Sequence, residues 1–434
     1  MPPPGTRNPE PGTLDEWLAH LERVHPKSIE MGLERVGRVR DAMGLQPGFP
    51  VIAVGGTNGK GSVCAMLEAI LSEAGYRVGC YTSPHLLRYS ERVRFGRCEA
   101  GDADLCRAFG RVERARGTVS LTYFEFGTLA AVSLFQEQAV DLAILEVGLG
   151  GRLDAVNAFD ADCAVLASVA LDHLDYLGNT RDAIAFEKAG IFRSGRGAVC
   201  AEPDPPPSVA RQAAATGARL VQIGRDFGYT ADRLQWNYWG PAGKRLALPV
   251  PALRGAFQLQ NAAATLAVLD EMRERLPVTM RDLRQGLVGV ELPGRFQVLP
   301  GRPAVILDVA HNPHAAAGLA QNLGAMGVFR RTLGVFAMLR DKDIAGVAQA
   351  LRGRIDDWFV AGIAHPRGAS AADVARVLEE AGIAPVRQFG SPAAGFAAAW
   401  ESAGQNDRIC VFGSFFTVAD VVKHLQATTA RRGA

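Results

Sequence analysis

A glycine-rich heptapeptide, GTNGKGS, at residues 56–62 limits the possible folds of this chain more than any other part of its sequence. It follows an apolar run at 51–54, and the apolar residues after it recur at helical spacing, so the sequence predicts a strand, a tight loop and a helix. Glycines let the backbone approach phosphate oxygens, and the N–H groups at a helix start favour an anion. Lys60 adds a positive charge, and Ser62 adds a hydroxyl for a phosphate-bound Mg²⁺. The pattern makes ATP the first ligand hypothesis, with a chance glycine-rich turn as the alternative.

Length, charge and cysteine usage narrow the class of protein. A chain of 434 residues is long enough for two or three domains with a core in each. The formal net charge is +2 and the charges are interspersed, which argues against a nucleic-acid partner. The Pro-rich residues 1–12 predict a flexible tail rather than a signal peptide, and no apolar stretch is long enough to span a membrane. Seven cysteines without a CxxC pair predict reduced thiols in a cytoplasmic protein.

Strand-like and helix-period segments alternate along the chain, which predicts an α/β fold with parallel sheets covered by helices. Thr13 and Glu16 predict a capping box at the start of a first helix. Strands are predicted at 51–54, 78–81, 142–147, 163–169 and 198–201, helices at 124–136, 181–189, 257–272 and 281–287, and a small hairpin insert at 227–251. Turn-rich sequence predicts a linker at 296–302 between a large nucleotide-binding domain at 13–295 and a smaller Rossmann-like α/β domain at 303–434.

Candidate metal ligands follow predicted strands. Glu146 ends the apolar run at 141–147, where ligands of open α/β sheets gather, and a carboxylate suits Mg²⁺. His173 and Ser83 follow other strands and are predicted to reach the same edge. The alternatives are a solvated strand-end glutamate, a packed histidine and a turn serine.

Several motifs occur in one fixed order between residues 56 and 418. They are GTNGKGS, YTSPHLLRYSERVRFG, LTYFEFGTLAA, EVGLGGRLDAVN, LDHLDYLG, EKAGIFR, LPGRFQ, DVAHNPHA, DKDIAG and GSFFTV. Together they resemble the folylpolyglutamate synthase family of the Mur ligase superfamily, and most closely its bacterial bifunctional dihydrofolate synthase/folylpolyglutamate synthases. The likeness covers nearly the whole chain apart from the first dozen residues and the region 202–255. Mur ligases share the loop in which a glycine, here Gly61, separates the lysine from the serine.

The resemblance implies a fold, an activity and cofactors. The fold is a large P-loop Mur-ligase-type domain followed by a smaller C-terminal domain that binds glutamate. The activity is ATP-dependent addition of L-glutamate to dihydropteroate, giving dihydrofolate, and then to reduced folates by γ-linkage. Because a carboxylate is a poor electrophile, the γ-phosphoryl group of ATP first makes an acyl phosphate, which the glutamate amine attacks. ATP, two Mg²⁺ ions, small-molecule substrates and a monomeric protein are expected.

The resemblance also assigns roles to residues. The catalytic residues are Lys60, Glu146, His173 and Lys188. ATP is expected on Gly56, Thr57, Asn58, Gly59, Lys60, Gly61, Ser62, Asn261, Arg295 and Asp308. The metal ligands are Ser83, Glu146, His173 and Lys188, the last after carbamylation by CO₂. The pterin or folate is expected on Arg23, Val24, His25, Pro26, Thr122, Tyr123, Phe124, Glu125 and Leu153. The incoming glutamate is expected on His311 and Ser414.

Simpler roles stay open for several of these residues. Lys188 is an ordinary helix lysine if it is not carbamylated, and Asp308 has the position of a strand-end carboxylate that caps the next helix. His311 and Ser414 have equally simple roles as partners of backbone groups, and the charged residues 341–343 receive no role. For the whole chain the alternatives are a family member with one activity, a Mur-type peptidoglycan ligase, or a P-loop ATPase switch that controls a partner.

Overall fold

The computed structural model describes residues 11–27, 29–232 and 234–433. The predicted tail at 1–12 lies outside the described residues except for residues 11 and 12. The capping box at the first helix is confirmed. The Thr13 hydroxyl accepts a hydrogen bond from the backbone N–H of Glu16 at 3.3 Å, and the Glu16 carboxylate accepts one from the N–H of Thr13 at 3.0 Å.

The helices and strands alternate along most of the chain. The helices are α1 (Leu14–Val24), α2 (Glu34–Ala42), α3 (Lys60–Glu73), α4 (Asp102–Arg116), α5 (Tyr123–Glu137), α6 (Leu174–Leu177), α7 (Arg181–Ala189), α8 (Pro207–Thr216), α9 (Gln258–Glu271), α10 (Met280–Val288), α11 (Pro313–Ala325), α12 (Ile344–Ala350), α13 (Ala371–Glu380), α14 (Pro392–Ser402) and α15 (Phe415–Gly433). Short 3₁₀ helices lie at Tyr89–Arg92 and Ala155–Ala158. The strands are β1 (Val51–Gly55), β2 (Val78–Tyr81), β3 (Val93–Phe95), β4 (Cys98–Glu99), β5 (Leu142–Glu146), β6 (Cys163–Leu166), β7 (Gly197–Cys200), β8 (Arg219–Gln222), β9 (Gly228–Ala231), β10 (Gln235–Gly240), β11 (Gly243–Pro249), β12 (Gln297–Leu299), β13 (Ala304–Leu307), β14 (Thr332–Phe336), β15 (Asp357–Ala361), β16 (Val386–Phe389) and β17 (Arg408–Phe412).

The first sheet has the strand order β4-β3-β2-β5-β1-β6-β7-β8. Strands from β2 to β8 in this order pair in parallel, whereas β3 and β4 add an antiparallel edge. Strands β1 and β5 are buried along their whole length, because Val51 and Ala53 pack towards α4 and α5 while Ile52 and Val54 pack towards α3, α9 and α10. Helices on both faces explain why the parallel strands read as continuous apolar runs.

The second sheet has the order β12-β13-β17-β14-β15-β16 and is parallel except for β12. One face packs on α11, α12 and α13, and the other packs on α14 and α15. The segment predicted as a linker, 296–302, contains β12, which pairs with β13. The chain therefore enters the second sheet within the segment predicted as a linker.

The α/β class is confirmed, and the strands predicted in the first sheet appear as β1, β2, β5, β6 and β7. The hairpin predicted at 227–251 is wrong in one respect, because β9 joins β10 and β11 in an antiparallel sheet. Strand β9 is too short for an alternation of apolar and polar residues to be recognised in its sequence. Its pairing with β10 decides its conformation. No helix in the described ranges is both long and apolar enough to cross a membrane.

Candidate active site

The loop at 56–62 has a backbone that only glycine accommodates at two positions. Gly56 and Gly59 have φ values of +141° and +86°. A Cβ at Gly59 would lie 2.6 Å from Oδ1 of Asn261, and a Cβ at Gly56 would lie 3.1 Å from the backbone nitrogens of Ala167 and Ser168. Helix α3 begins at Lys60, directly after Gly59. The N–H groups of its first turn have no partner within the helix, so they point into the loop, where an anion can bind.

Ser168, after β6, fixes this loop to the neighbouring strand. The N–H of Thr57 donates to the Ser168 carbonyl at 2.8 Å, and the N–H of Asn58 donates to its hydroxyl at 2.9 Å. The same hydroxyl donates to the Asn58 carbonyl at 3.0 Å. The loop is therefore held in place by the chain itself, ready for an anionic ligand.

We expect the Gly59→Ala variant to bind nucleotide roughly tenfold or more weakly than wild type. Alanine in a left-handed conformation costs about 1–2 kcal/mol, and the new Cβ would also displace Asn261. Gly75→Ala is the matched control, since Gly75 has a φ of +90° but a Cβ added there would have no neighbouring atom within 4 Å. Calorimetric titration with ADP measures both variants, and equal affinities in the two would contradict the proposed collision.

Two lysine side chains converge beneath the loop. Nζ of Lys60 donates to the carbonyls of Gly56 and Thr57 at 3.1 and 3.3 Å, and Nζ of Lys188 donates to the same Gly56 carbonyl at 3.0 Å. Burial and the nearby charge of Lys60 lower the pKa of Lys188 to about 7. Two amines that share one carbonyl suit a strongly anionic ligand in the adjoining cavity.

The candidate metal ligands lie at the carboxyl edge of the first sheet. Glu146 is buried at the end of β5, and its Oε2 accepts a hydrogen bond from the N–H of Ser83 at 3.1 Å. Burial raises the pKa of Glu146, and the charge of Lys60 partly offsets that effect. Burial also lowers the pKa of His173 to about 4, so its imidazole is neutral at pH 7 and has a lone pair available.

The donor set fits a hard cation that shares its shell with phosphate. Within the described residues, no group of three or more His, Cys, Asp or Glu side chains could hold a metal ion by itself. Glu146, His173 and the hydroxyl of Ser83 line one cavity with the phosphate loop. Mg²⁺ characteristically takes only one or two carboxylates and completes its shell with water and substrate phosphates.

The second domain contributes the opposite wall. The guanidinium of Arg295 lies 4.9 Å from the ring centroid of Phe415. The Asp308 carboxylate accepts hydrogen bonds from the N–H groups of Phe296 at 2.9 Å and Ala310 at 2.8 Å, and burial raises its pKa. The alternative in which Asp308 caps the next helix is wrong, because Asn312 caps α11 by accepting a hydrogen bond from the N–H of Ala315 at 2.9 Å. The Asp308 side chain lines the cavity.

His311 and Ser414 likewise meet backbone groups. Nδ1 of His311 lies 2.9 Å from the carbonyl oxygen of Val309, and the Ser414 hydroxyl accepts from the N–H of Phe416 at 3.2 Å. Burial lowers the pKa of His311 to about 4. Both side chains line the cavity, so the backbone contacts and a substrate contact are compatible.

Polar contacts join the two domains beside this cavity. The amides of Asn58 and Asn312 bond to each other at 3.1 and 3.2 Å. Nζ of Lys342 donates to Asp172 Oδ1 at 2.6 Å and lies 3.4 Å from Nε2 of His173. Asp172, Asn312 and Lys342 were not predicted as functional residues from the sequence, although all lie within the motifs that carry the family resemblance.

A single cavity of about 660 Å³ brings most of the predicted site residues together. Those lining it are Gly56, Thr57, Asn58, Gly59, Lys60, Gly61, Ser62, Ser83, Phe124, Glu146, His173, Lys188, Asn261, Arg295, Asp308, His311 and Ser414. The remaining pterin candidates do not line it, and they are Arg23, Val24, His25, Pro26, Thr122, Tyr123, Glu125 and Leu153.

Several of these outlying candidates have local structural partners. Thr122 and Glu125 form the capping box of α5, and the Glu125 carboxylate pairs with Arg35 at 3.1 Å. His25 lies 2.6 Å from the hydroxyl of Ser120. Most polar side chains of the motif LTYFE therefore serve to begin helix α5. The Phe124 ring of the same motif faces the cavity.

Comparisons with known proteins agree with this architecture. Two family models match the chain, the Mur ligase middle domain over residues 54–269 and the Mur ligase glutamate ligase domain over residues 294–415. The dihydrofolate synthase/folylpolyglutamate synthase of Escherichia coli (strain K12) is 45% identical over 415 residues, which cover 95% of this chain and 96% of the relative.

Solved structures are similar over nearly the full length. E. coli FolC in complex with DHPP and ADP has a TM-score of 0.93 and 44% sequence identity, covering 98% of this chain and 100% of that chain. A bifunctional folylpolyglutamate synthase/dihydrofolate synthase with Mn, AMPPNP and L-glutamate bound has a TM-score of 0.90 and 44% identity, covering 97% and 100% of the two chains. The chain therefore belongs to the dihydrofolate synthase/folylpolyglutamate synthase family of the Mur ligases.

Proposed function

We propose that this chain is an ATP-dependent ligase that adds L-glutamate to dihydropteroate, forming dihydrofolate, and to reduced folates, forming folylpolyglutamates. The observation that carries the proposal is the cavity, which has the phosphate loop on one wall and Arg295, His311 and Ser414 on the other. Relatives of the same fold hold ADP with DHPP, or AMPPNP with Mn and L-glutamate. An activated acid and an amine can meet in such a cavity.

The first domain positions the triphosphate. The N–H groups of the loop and the ammonium of Lys60 bind its phosphate oxygens, and Asn261 faces the adenine side. Ser83, Glu146 and His173 would hold Mg²⁺, with Ser62 close by, and Mg²⁺ when bound neutralises charge on the phosphates. Phosphoryl transfer to the acid needs this positioning more than covalent help, because little bonding to the protein changes during the step.

The second domain completes the site. Arg295 and Asp308 reach the phosphates and ribose, while His311 and Ser414 orient the incoming glutamate. Contacts between the domains, such as the pair Asn58 and Asn312, hold the walls together. Closure excludes water, which would otherwise hydrolyse the acyl phosphate before the amine attacks it.

The pterin binds on the wall that contains Phe124. The Phe124 ring packs closely against Gly148, because a Cβ added at Gly148 would lie 2.6 Å from Phe124 Cζ. A flat heterocycle can stack on this ring. The outlying candidates, such as Thr122 and Glu125, act through the helix cap that positions Phe124.

One assay tests the proposed activity. Purified protein with ATP, Mg²⁺ and glutamate is offered dihydropteroate, tetrahydrofolate or a muramoyl nucleotide in turn. We expect ADP release with the two pterin acids and only when glutamate is present. Turnover with one of them alone would indicate a single activity, turnover with the muramoyl nucleotide a Mur-type ligase, and glutamate-independent hydrolysis stimulated by a protein partner an ATPase switch.

We expect activity to depend on CO₂ through Lys188. The pKa of about 7 leaves much of the amine unprotonated at pH 7, and CO₂ adds only to the unprotonated form. Carbamylation therefore increases as the pH rises through 7 and declines below it. CO₂-depleted enzyme should lose activity and recover it with bicarbonate, and native mass spectrometry should show a mass increase of one CO₂.

Lys188→Arg is the control for this prediction, since a guanidinium stays charged and cannot form the carbamate. It should be roughly 10²-fold slower, as for loss of one charge-stabilising group, and should not respond to bicarbonate. Full wild-type activity with a bare amine and no CO₂ dependence would contradict the carbamate.

The cellular setting is also a proposal. Within the described residues no cysteine forms a disulfide, which suits a reducing cytoplasm. We also expect a monomer, and light scattering at micromolar concentration tests that state.

A further inference from the structure

The guanidinium of Arg92 is a positive charge on the cavity wall that contains Phe124, where the acid substrate is proposed to bind. Arg92 ends the 3₁₀ helix Tyr89–Arg92 and lines the cavity near Phe124. Its Nε donates to Nδ1 of His85 at 2.9 Å, and its guanidinium carbon lies 5.4 Å from the ring centroids of both Tyr89 and Tyr123. These contacts orient the side chain before any ligand arrives.

This guanidinium has no anionic partner among the described residues. Within the parts of the chain that the structure describes, its Nε makes the one hydrogen bond just given and its terminal nitrogens make none. Its neighbours differ, because Arg88 pairs with Asp102 at 3.2 Å and Arg94 pairs with Glu68 at 2.8 Å. A partly buried arginine without a counter-charge is unfavourable, so an anion from the cavity would stabilise it.

Arg92 lies beside the phosphate centre. Its backbone carbonyl accepts a hydrogen bond from the N–H of Thr82, the residue before Ser83, at 2.9 Å, while its guanidinium lies against the rings of Tyr89 and Tyr123. The reacting carboxylate must lie at the phosphate centre, so Arg92 is placed for a second anionic group on the same acid.

We propose that Arg92 binds the α-carboxylate of a folate acceptor, the group next to the γ-carboxylate that reacts, and thereby selects folates in the second reaction. This inference rests on the proposed function. Dihydropteroate has a single carboxylate, which is the reacting one, and therefore has nothing to offer Arg92. Every γ-linked folate ends in a glutamate with both carboxylates, so each round of elongation presents the same pair.

Lys423 on α15 strengthens the positive potential at this position. It lines the same cavity from the second domain, and its charge acts on His85, the hydrogen-bond partner of Arg92. The ligand carboxylate would thus lie between cations of the two domains, which favours the closed arrangement.

The test compares acids that differ only in this carboxylate. The Arg92→Met variant should raise the KM for tetrahydrofolate roughly 10- to 100-fold, as for loss of a charged hydrogen bond. Its kcat/KM for dihydropteroate should stay within roughly threefold of wild type. Wild-type enzyme should lose the same factor with the α-carboxamide of tetrahydrofolate, and the variant should lose nothing further with that analogue.

Arg88→Met is the matched control, because Arg88 is exposed, pairs with Asp102 and does not line the cavity. It should leave the kinetics with all three acids unchanged. Equal losses of Arg92→Met with dihydropteroate and tetrahydrofolate, or equal wild-type KM values for the carboxylate and the carboxamide, would overturn the role of Arg92. The second comparison needs no variant, so it decides the matter even if Arg92→Met fails to fold.

Failure of the proposed function gives a different result. Wild-type enzyme that releases no ADP with any acid would overturn the ligase activity itself. Calorimetric binding of tetrahydrofolate and its α-carboxamide then still tests Arg92, since equal affinities would refute the inference and a roughly 10-fold or larger preference for the carboxylate would support it.

Discussion

Replacing Lys60 with alanine is expected to lower kcat roughly 10³-fold without unfolding the protein. Nζ of Lys60 donates only to the carbonyls of Gly56 and Thr57 among the described residues, so its charge is free to act on a ligand. That charge lies at the start of α3, where the helix N–H groups also point. Transfer of a phosphoryl group depends on such fixed charges, because negative charge redistributes over its oxygens during the step.

ADP release at saturating ATP, dihydropteroate and glutamate measures this effect. Lys244→Ala is the control, since Lys244 is an exposed lysine in β11 that does not line the cavity. It should match wild type. If the Lys60→Ala enzyme keeps roughly a tenth or more of wild-type kcat, the phosphate loop is not part of the catalytic machinery.

The second large effect concerns the contact between the domains. Lys342→Met should lower kcat/KM for glutamate by roughly 10²-fold or more. Nζ of Lys342 and Oδ1 of Asp172 are 2.6 Å apart, and each side chain is only 8% exposed. Removing one member of a buried ion pair typically costs about 3–5 kcal/mol, because the other charge is left uncompensated. Each domain keeps its own core, so the cost falls on the closed arrangement rather than on folding.

A double-mutant cycle isolates this contact. Asp172→Asn, Lys342→Met and the double variant should show a coupling free energy of about 2 kcal/mol or more in kcat/KM for glutamate. The exposed pair Asp182 and Arg211, 2.6 Å apart, is the reference and should give a coupling below about 1 kcal/mol in unfolding free energy. Additive effects at Asp172 and Lys342 would contradict a closing role for the pair.

The same contact has a defined pH dependence. Burial tends to raise the pKa of Asp172, but His173, which is charged only when protonated at low pH, and the ammonium of Lys342 outweigh it and hold that pKa well below its usual range. A carboxylate whose pKa is lowered by folding contributes its full stabilisation above its unfolded pKa of about 3.9. It loses this stabilisation only as the pH falls towards its pKa in the folded protein. Between pH 5 and 8 the coupling should therefore be constant.

Local features of the active site could be predicted because they depend on short stretches of sequence. The glycines at 56 and 59 require a loop, and the apolar runs before Gly56 and before Val147 require buried parallel strands. The carboxyl ends of parallel strands lie at one edge of a sheet, so the convergence of Lys60, Glu146 and His173 on one cavity was predictable in outline.

Roles set by distant contacts could not be predicted in this way. The charged segment 341–343 has the sequence of a solvated loop, yet Lys342 is buried against Asp172, 170 positions earlier in the chain. Arg92 resembles its neighbours Arg88 and Arg94 in the sequence. The structure shows that, of these three, only Arg88 and Arg94 have acidic partners among the described residues. Burial and pairing of a charge depend on packing between segments, which spacing along the chain does not encode.

The α/β class, the phosphate loop and the family follow from the order of residues alone, because glycine conformation and apolar periodicity are set by a few neighbouring positions. Packing in three dimensions was needed to place Phe124 on the cavity wall and to add β12 to the second sheet. Thr122 and Glu125, by contrast, have the same capping-box spacing as Thr13 and Glu16. The same side chain can cap, pack or bind, and the free energy that selects among these roles comes from neighbours that folding brings together.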